Sequence, residues 1–226
     1  MERQVKIISG YIIDRSITNE GEIKQYIENL LTYINQIEKL YIYITKEIEI
    51  SNYLNQLARY SHIEIAKSID YGEAEVYKEL IEKAISEKAD YITILKPDMY
   101  YENESFLELK KYLMQSDVSR ISVLTPMPLF GCELHERKSE EFRAIKGCNA
   151  YGALLNLNIY KETKGIKTDY YQTTFDYDYC LQTRLLGYDV ILAQNLVLRK
   201  QNYKIITKKI GFISLSMFDR DLMDIY

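Results

Sequence analysis

Over the first hundred residues, runs of β-branched and aromatic residues alternate with amphipathic segments of helical period, and this alternation constrains the fold more than any single motif. Residues 5–13, 40–45, 62–67 and 91–95 read as strands. Between the first two, Ile23, Tyr26, Ile27, Leu30, Leu31, Ile34 and Ile37 recur at three- and four-residue spacings, which predicts a helix from about residue 20. Helical signals return over residues 52–60, and Ala74, Tyr77, Leu80, Ile81, Ala84 and Ile85 mark a further amphipathic helix. Strands separated by helices of this length build βαβ units, so the expectation is an α/β fold with a mostly parallel central sheet flanked by helices. Ligands of such sheets bind at the carboxyl ends of the strands.

The second half continues the pattern with more interruptions. A helix is expected near residues 105–115 and a fifth strand at 121–125, after which Pro126 and Pro128 should end regular structure. The polar stretch 131–145 reads as an excursion over the site, with His135 a solvated loop residue and His62 a strand-edge residue. A short strand from Tyr151 leads to a helix through Tyr160, then a helix beginning near Phe175 ends at Gly187, where a left-handed residue is needed, and a strand follows at 189–193. In that helix Tyr179, Leu181, Leu185 and Leu186 are expected to form the packed face.

One domain over residues 1–200 and a C-terminal tail over 201–226 account for the length of 226 residues. The tail carries Lys204, Lys208 and Lys209 ahead of an apolar patch at 210–218. It can dock on the body, meet another subunit or lie on a membrane surface, docking being the expectation. A net charge of −4 argues against a nucleic-acid partner. The three cysteines, Cys132, Cys148 and Cys180, are widely spaced and suggest neither a zinc site nor a secreted disulfide framework. With no segment suited to span a membrane, the expected location is the cytoplasm, with peripheral attachment at the inner membrane face as an option.

Two places carry candidate chemistry. Asp98 lies just past the fourth strand, where a ligand could be met, although an Asp in a Pro-containing turn explains it equally well. Asp176 and Asp178 open the helix near Phe175, where backbone N–H groups favour a charged carboxylate; either a first-turn capping role or a base fits that position.

The runs YITILKPD (91–98), GALLNLNIY (152–160), FDYDYCLQTRLLGY (175–188) and NLVLRK (195–200) resemble family 2 glycosyltransferases of the GT-A fold, rhamnosyltransferase-like members above all. The resemblance implies an inverting enzyme of polysaccharide biosynthesis, which moves a sugar from a nucleotide-sugar donor to a glycan or lipid-linked acceptor. It implies Asp176 as general base with Asp178 as the neighbouring candidate, and Asp98 as the residue that binds Mg²⁺ or Mn²⁺ at the donor diphosphate. Tyr11, Gly72 and Gly152 fall at donor-side positions. The first Asp of the family's Asp-x-Asp is Lys96 here, and the His that closes the site is Lys200. Both changes are to a cation, which suggests metal-independent donor binding with Lys96 and Lys200 at the diphosphate. The alternative is a non-catalytic pseudo-glycosyltransferase acting as a binding or scaffolding partner; a homodimer or a partner transferase is a separate option for either reading.

Overall fold

The computed structural model describes residues 4–13, 24, 28, 30–44, 57, 60–67, 72–130, 134–136, 138–169 and 174–200, together with the backbone of two strands at 205–210 and 213–218. Four strands, β1 (Ile7–Ile13), β2 (Lys39–Ile44), β3 (Ile63–Lys67) and β4 (Tyr91–Leu95), pair in parallel in the order β3-β2-β1-β4. All seven residues of β1 and all five of β4 are buried, as expected of strands covered on both faces. The predicted helix between β1 and β2 and the helical signal at 52–60 fall largely outside the described residues. Leu30, Tyr33, Ile34 and Ile37 of the first are buried, with a short 3₁₀ turn at Ile34–Gln36.

The remaining elements are β5 (Met99–Tyr101), β6 (Ile121–Phe130), β7 (Phe142–Ile145), β8 (Leu154–Asn156) and β9 (Asp189–Lys200), with helices α1 (Glu73–Ser86), α2 (Ser105–Gln115), α3 (Leu157–Tyr160) and α4 (Phe175–Leu185). The sheet continues from β4 through β8, β6 and β9 to β5, with β7 also on β9. β8 is antiparallel to both its neighbours, while β6 and β9 run parallel. Helices α1 and α4 pack on one face through Tyr77, Leu80, Phe175 and Tyr179, and α2 packs on the other through Phe106, Leu109 and Leu113.

Several local expectations are corrected. Pro126 and Pro128 do not end a strand, because β6 runs through both. Only Val123 and Leu124 of β6 pair with β8, so both prolines lie beyond that ladder, in a stretch of β6 whose described strand partner is β9 alone. A register shift against β9 falls at the first proline step, where Pro126 opposes Ala193 but Met127 opposes Val197. The stretch 131–145 is not all excursion, since Phe142–Ile145 forms β7 on β9. A further strand, β5, follows Asp98 directly, and β9, expected over 189–193, continues to Lys200. The tail contains an antiparallel pair, β10 (Ile205–Ile210) and β11 (Ile213–Phe218).

The packed face of α4 also differs from its expected composition. Phe175, Tyr179, Cys180 and Thr183 are buried, whereas Leu181, Leu185 and Leu186 face outward. Gly187 ends the helix at φ +88°, as its position predicts.

Candidate functional site

The carboxyl ends of β1 and β4, the start of α1 and the start of α4 bring most of the predicted residues to one edge of the sheet. Glu73, the first residue of α1, is the hub. Its Oε2 lies 3.0 Å from Lys96 Nζ at the end of β4, and its Oε1 accepts a hydrogen bond from the Tyr151 hydroxyl. Lys96 Nζ also stands 4.8 Å from the centroid of the Tyr151 ring, so one ammonium is held by a carboxylate and an aromatic face together. Gly72, just before Glu73, caps α1, and its N–H donates to Glu75 Oε2 at 2.8 Å.

One residue before Tyr151, the Ala150 N–H donates to Asp176 Oδ2 at 3.3 Å, and the Tyr177 N–H donates to Asp176 Oδ1 at 2.8 Å. The buried Tyr77 hydroxyl donates to the Ala150 carbonyl at 3.0 Å and fixes that segment from the α1 side. Asp176 is only 2% exposed. Burial pushes its carboxyl up to about 6, a rise opposed by the backbone hydrogen bonds and reinforced by the negative charge of Glu73. It therefore titrates near neutrality. Its own backbone N–H joins those of Ala150 and Tyr177 in favouring the ionised form, so burial outweighs three backbone donors. Asp178 sits two residues further along the helix and is held by Gln182 Nε2 at 2.6 Å and by Lys167 Nζ at 3.6 Å.

Asp98 and Lys200 form a second cluster. Pairing of β5 with β9 sets Met99 opposite Lys200, and this register brings Lys200 Nζ to 3.5 Å from Asp98 Oδ2. An Mg²⁺ or Mn²⁺ ion takes several oxygen ligands, usually with more than one carboxylate or phosphate among them. Here Asp98 faces an ammonium, Lys96 stands where a second carboxylate would be needed, and no group of three or more His, Cys, Asp or Glu converges among the described residues. These residues do not fit a divalent cation.

Gly152 and Tyr11 have structural reasons for their identity. Gly152 adopts φ +71°, and a Cβ there would stand 2.3 Å from Leu198 Cδ2, so the close approach that requires glycine is to the β9 side chain. Its carbonyl accepts from the buried Tyr101 hydroxyl at 2.9 Å. Tyr11 is 1% exposed and belongs to the core on the α2 face.

Sequence reasoning missed Glu73, Tyr77 and Tyr151, which tie the edge together. The only available signal for Glu73 was its place next to Gly72 at a helix start. Cys148 and Cys180, far apart in sequence, have their sulfurs 4.0 Å apart beside Asp176; Cys132 lies outside the described residues. His135 is half-buried rather than solvated and lines a cavity of about 590 Å³ with Tyr112, Phe142 and Asn195, away from the predicted residues.

Comparison with known proteins bears on the fold. No protein-family model and no curated protein sequence matches the chain. Among solved structures it is similar to S. aureus TarS 1–349 in complex with UDP-GlcNAc, with a TM-score of 0.62 and 9% identity over 88% of this chain and 60% of that one. It is also similar to a second structure of S. aureus TarS, with a TM-score of 0.59 and 9% identity over 88% of this chain and 35% of that one. The fold is GT-A-like, of the glycosyltransferase type. This chain spans less than two thirds of either neighbour, and at 9% identity the likeness establishes the fold alone. No helix among the described residues is long and apolar enough to cross a membrane.

Proposed function

We propose that the chain is an inverting glycosyltransferase, family 2-like, which moves a hexosyl or rhamnosyl unit from a nucleotide-sugar to a glycan or lipid-linked acceptor. The transfer site belongs to the body at 1–200, and the tail at 201–226 serves docking or subunit contact. The observation that carries the reading is the juxtaposition of Asp176 with Lys96 through Ala150, Tyr151 and Glu73, at the sheet edge where α/β folds take ligands. The fold of a protein crystallised with UDP-GlcNAc supports a nucleotide-sugar as donor.

In this reading Lys96 and Lys200 face the donor diphosphate and stabilise the charge that develops as it leaves. The acceptor hydroxyl oxygen bonds to the anomeric carbon, the anomeric carbon–oxygen bond to the diphosphate breaks with its electron pair, and the hydroxyl proton passes to Asp176. A carboxyl with its pKa raised to about 6 is ionised enough at neutral pH to take that proton and basic enough to hold it. No step is assigned to a metal. Asp178, committed to Gln182 and Lys167, is a positioning residue for the start of α4.

A second reading rests on the burial of Asp176 and on the carboxylate partners of both lysines, and makes the chain a non-catalytic partner that keeps the fold for its surface. The deciding experiment is a thermal-shift panel of UDP, other nucleoside diphosphates and UDP-GlcNAc, with EDTA and with Mn²⁺. The transfer reading expects a rise in melting temperature with at least one nucleotide that EDTA does not remove, and an Asp176→Asn variant that still binds donor but no longer transfers sugar. A panel without any shift refutes it in favour of the non-catalytic reading.

A further inference from the structure

Helix α4 is apolar on two sides, and only one of them is used by the core. On the outer side Tyr177, Leu181 and Leu185, four residues apart and hence stacked along one face, are 56%, 50% and 78% exposed, and Leu186 next to them is 52% exposed. These are four of the seven large apolar side chains that stand exposed among the described residues, gathered on a single helix. Isolated exposed leucines need no explanation, but a contiguous ridge does.

A second observation lies beside the ridge. The segment 143–147 runs along α4, with Tyr177 against Gly147 and Arg184 Nη1 donating to the Lys146 carbonyl at 3.3 Å. Between this segment and the end of α4 is an open groove of about 520 Å³ whose charged lining is Arg143, Lys146 and Arg184 against the single carboxylate of Asp189. Three cations to one anion is a local excess in a chain whose net charge is −4. Of the acids near the helix, Asp178 is paired with Lys167 and bonded by Gln182, and Glu162 accepts from the Tyr188 hydroxyl at 2.6 Å.

We propose that this face docks on an anionic lipid bilayer, with Tyr177, Leu181, Leu185 and Leu186 entering the headgroup–acyl boundary and Arg143, Lys146 and Arg184 meeting lipid phosphates. An apolar ridge with an excess of cations beside it is what an interfacial helix needs, since the leucines leave water while the long arginine and lysine stems lie along the apolar surface with their charges in the headgroups. A protein interface of ordinary composition is depleted of lysine, whereas Lys146 stands beside the ridge. The docking does not depend on sugar transfer. Where transfer also holds, α4 carries the candidate base at its start and the bilayer contact along its outer face, so the acceptor would be lipid-linked.

The test uses the full chain and vesicles made either of phosphatidylcholine alone or of phosphatidylcholine and phosphatidylglycerol in equal parts. Co-sedimentation is expected with the anionic vesicles and much less with the neutral ones, weakening as salt rises. Lys146→Ala combined with Arg184→Ala should lower the partition coefficient about 30-fold, at roughly one favourable charge interaction each. Leu181→Ser combined with Leu185→Ser should lower it by at least about tenfold. Both double variants should melt within a degree or two of the parent, because the substituted side chains lie outside the core. As a direct probe, the chain contains no Trp, so Tyr177→Trp introduces a single indole whose emission should move to the blue on adding anionic vesicles. Equal binding to neutral and anionic vesicles, no binding to either, unchanged binding by both double variants, or an indole that stays red would each overturn the proposal. So would a solution dimer that Leu185→Ser dissolves and that does not bind vesicles, which would assign the face to a second copy of the chain.

Discussion

A buried carboxyl with a raised pKa makes stability depend on pH in a direction that can be worked out. Asp176 titrates near 3.8 when exposed in the unfolded chain and near about 6 in the native fold. Between those values the native state binds the proton that the unfolded state has released, so stability falls as pH rises. The contribution is fully present below about pH 4 and is lost once pH has passed through 6. A difference of about two pKa units corresponds to about 3 kcal/mol, and for a chain of this size that is about 6 to 12 °C in melting temperature. The perturbation is Asp176→Asn, which keeps the shape but cannot ionise. Its amide offers a single oxygen to the two backbone N–H groups that the carboxylate serves, so a constant loss is expected at every pH. The informative quantity is the difference in stability between parent and variant, measured by urea unfolding followed by circular dichroism from pH 4 to pH 8. It should change by about 3 kcal/mol in favour of the variant across that range. A difference that stays flat with pH would refute the raised pKa, and with it the argument that Asp176 is poised as a base.

Three further outcomes follow from individual contacts. Glu73→Gln removes the negative charge that helps to raise the Asp176 carboxyl, so the midpoint of the pH-dependent change should move to lower pH, which the same unfolding series reads. Gly152→Ala should destabilise by about 2 to 4 kcal/mol, from a left-handed backbone and overlap with Leu198, and Leu198→Ala in the same chain should recover the part due to overlap but not the part due to backbone. Lys167→Ala should cost less than about 1 kcal/mol, because its pair with Asp178 is partly solvated and Gln182 remains as a partner; a larger loss by thermal denaturation would show that the pair anchors the start of α4.

The sheet of four parallel strands was legible because burial on both faces leaves a chemical trace in the chain itself. The residues of β1 and β4 are mostly apolar and β-branched, with only Ser9, Gly10 and Thr93 between them, as strands buried on both faces require. Gly187 was legible for a similar reason, since a positive φ at a helix end selects glycine. The prolines of β6 misled, because a proline ends a strand only where its missing N–H would have been bonded, and whether β8 extends that far is a matter of pairing. The outer face of α4 misled in the opposite way. Leucine at helical spacing signals an apolar face, but the signal does not say whether the face meets the core or the outside.

By itself the sequence determined the fold class, the positions along the chain of the strands that build its parallel half, and the residue types at the carboxyl edge of the sheet. These depend on local periodicity and on backbone preference, which each segment carries alone. Tertiary structure decided what those residues touch. Asp98 faces Lys200 because β5 and β9 are in a particular register, and Lys96 meets Glu73 and Tyr151 because α1 and the segment before β8 converge on the end of β4. Asp176 is held by Ala150 for the same reason. Contacts between residues 23 to 102 positions apart in the chain are set by packing and pairing, which no local pattern records.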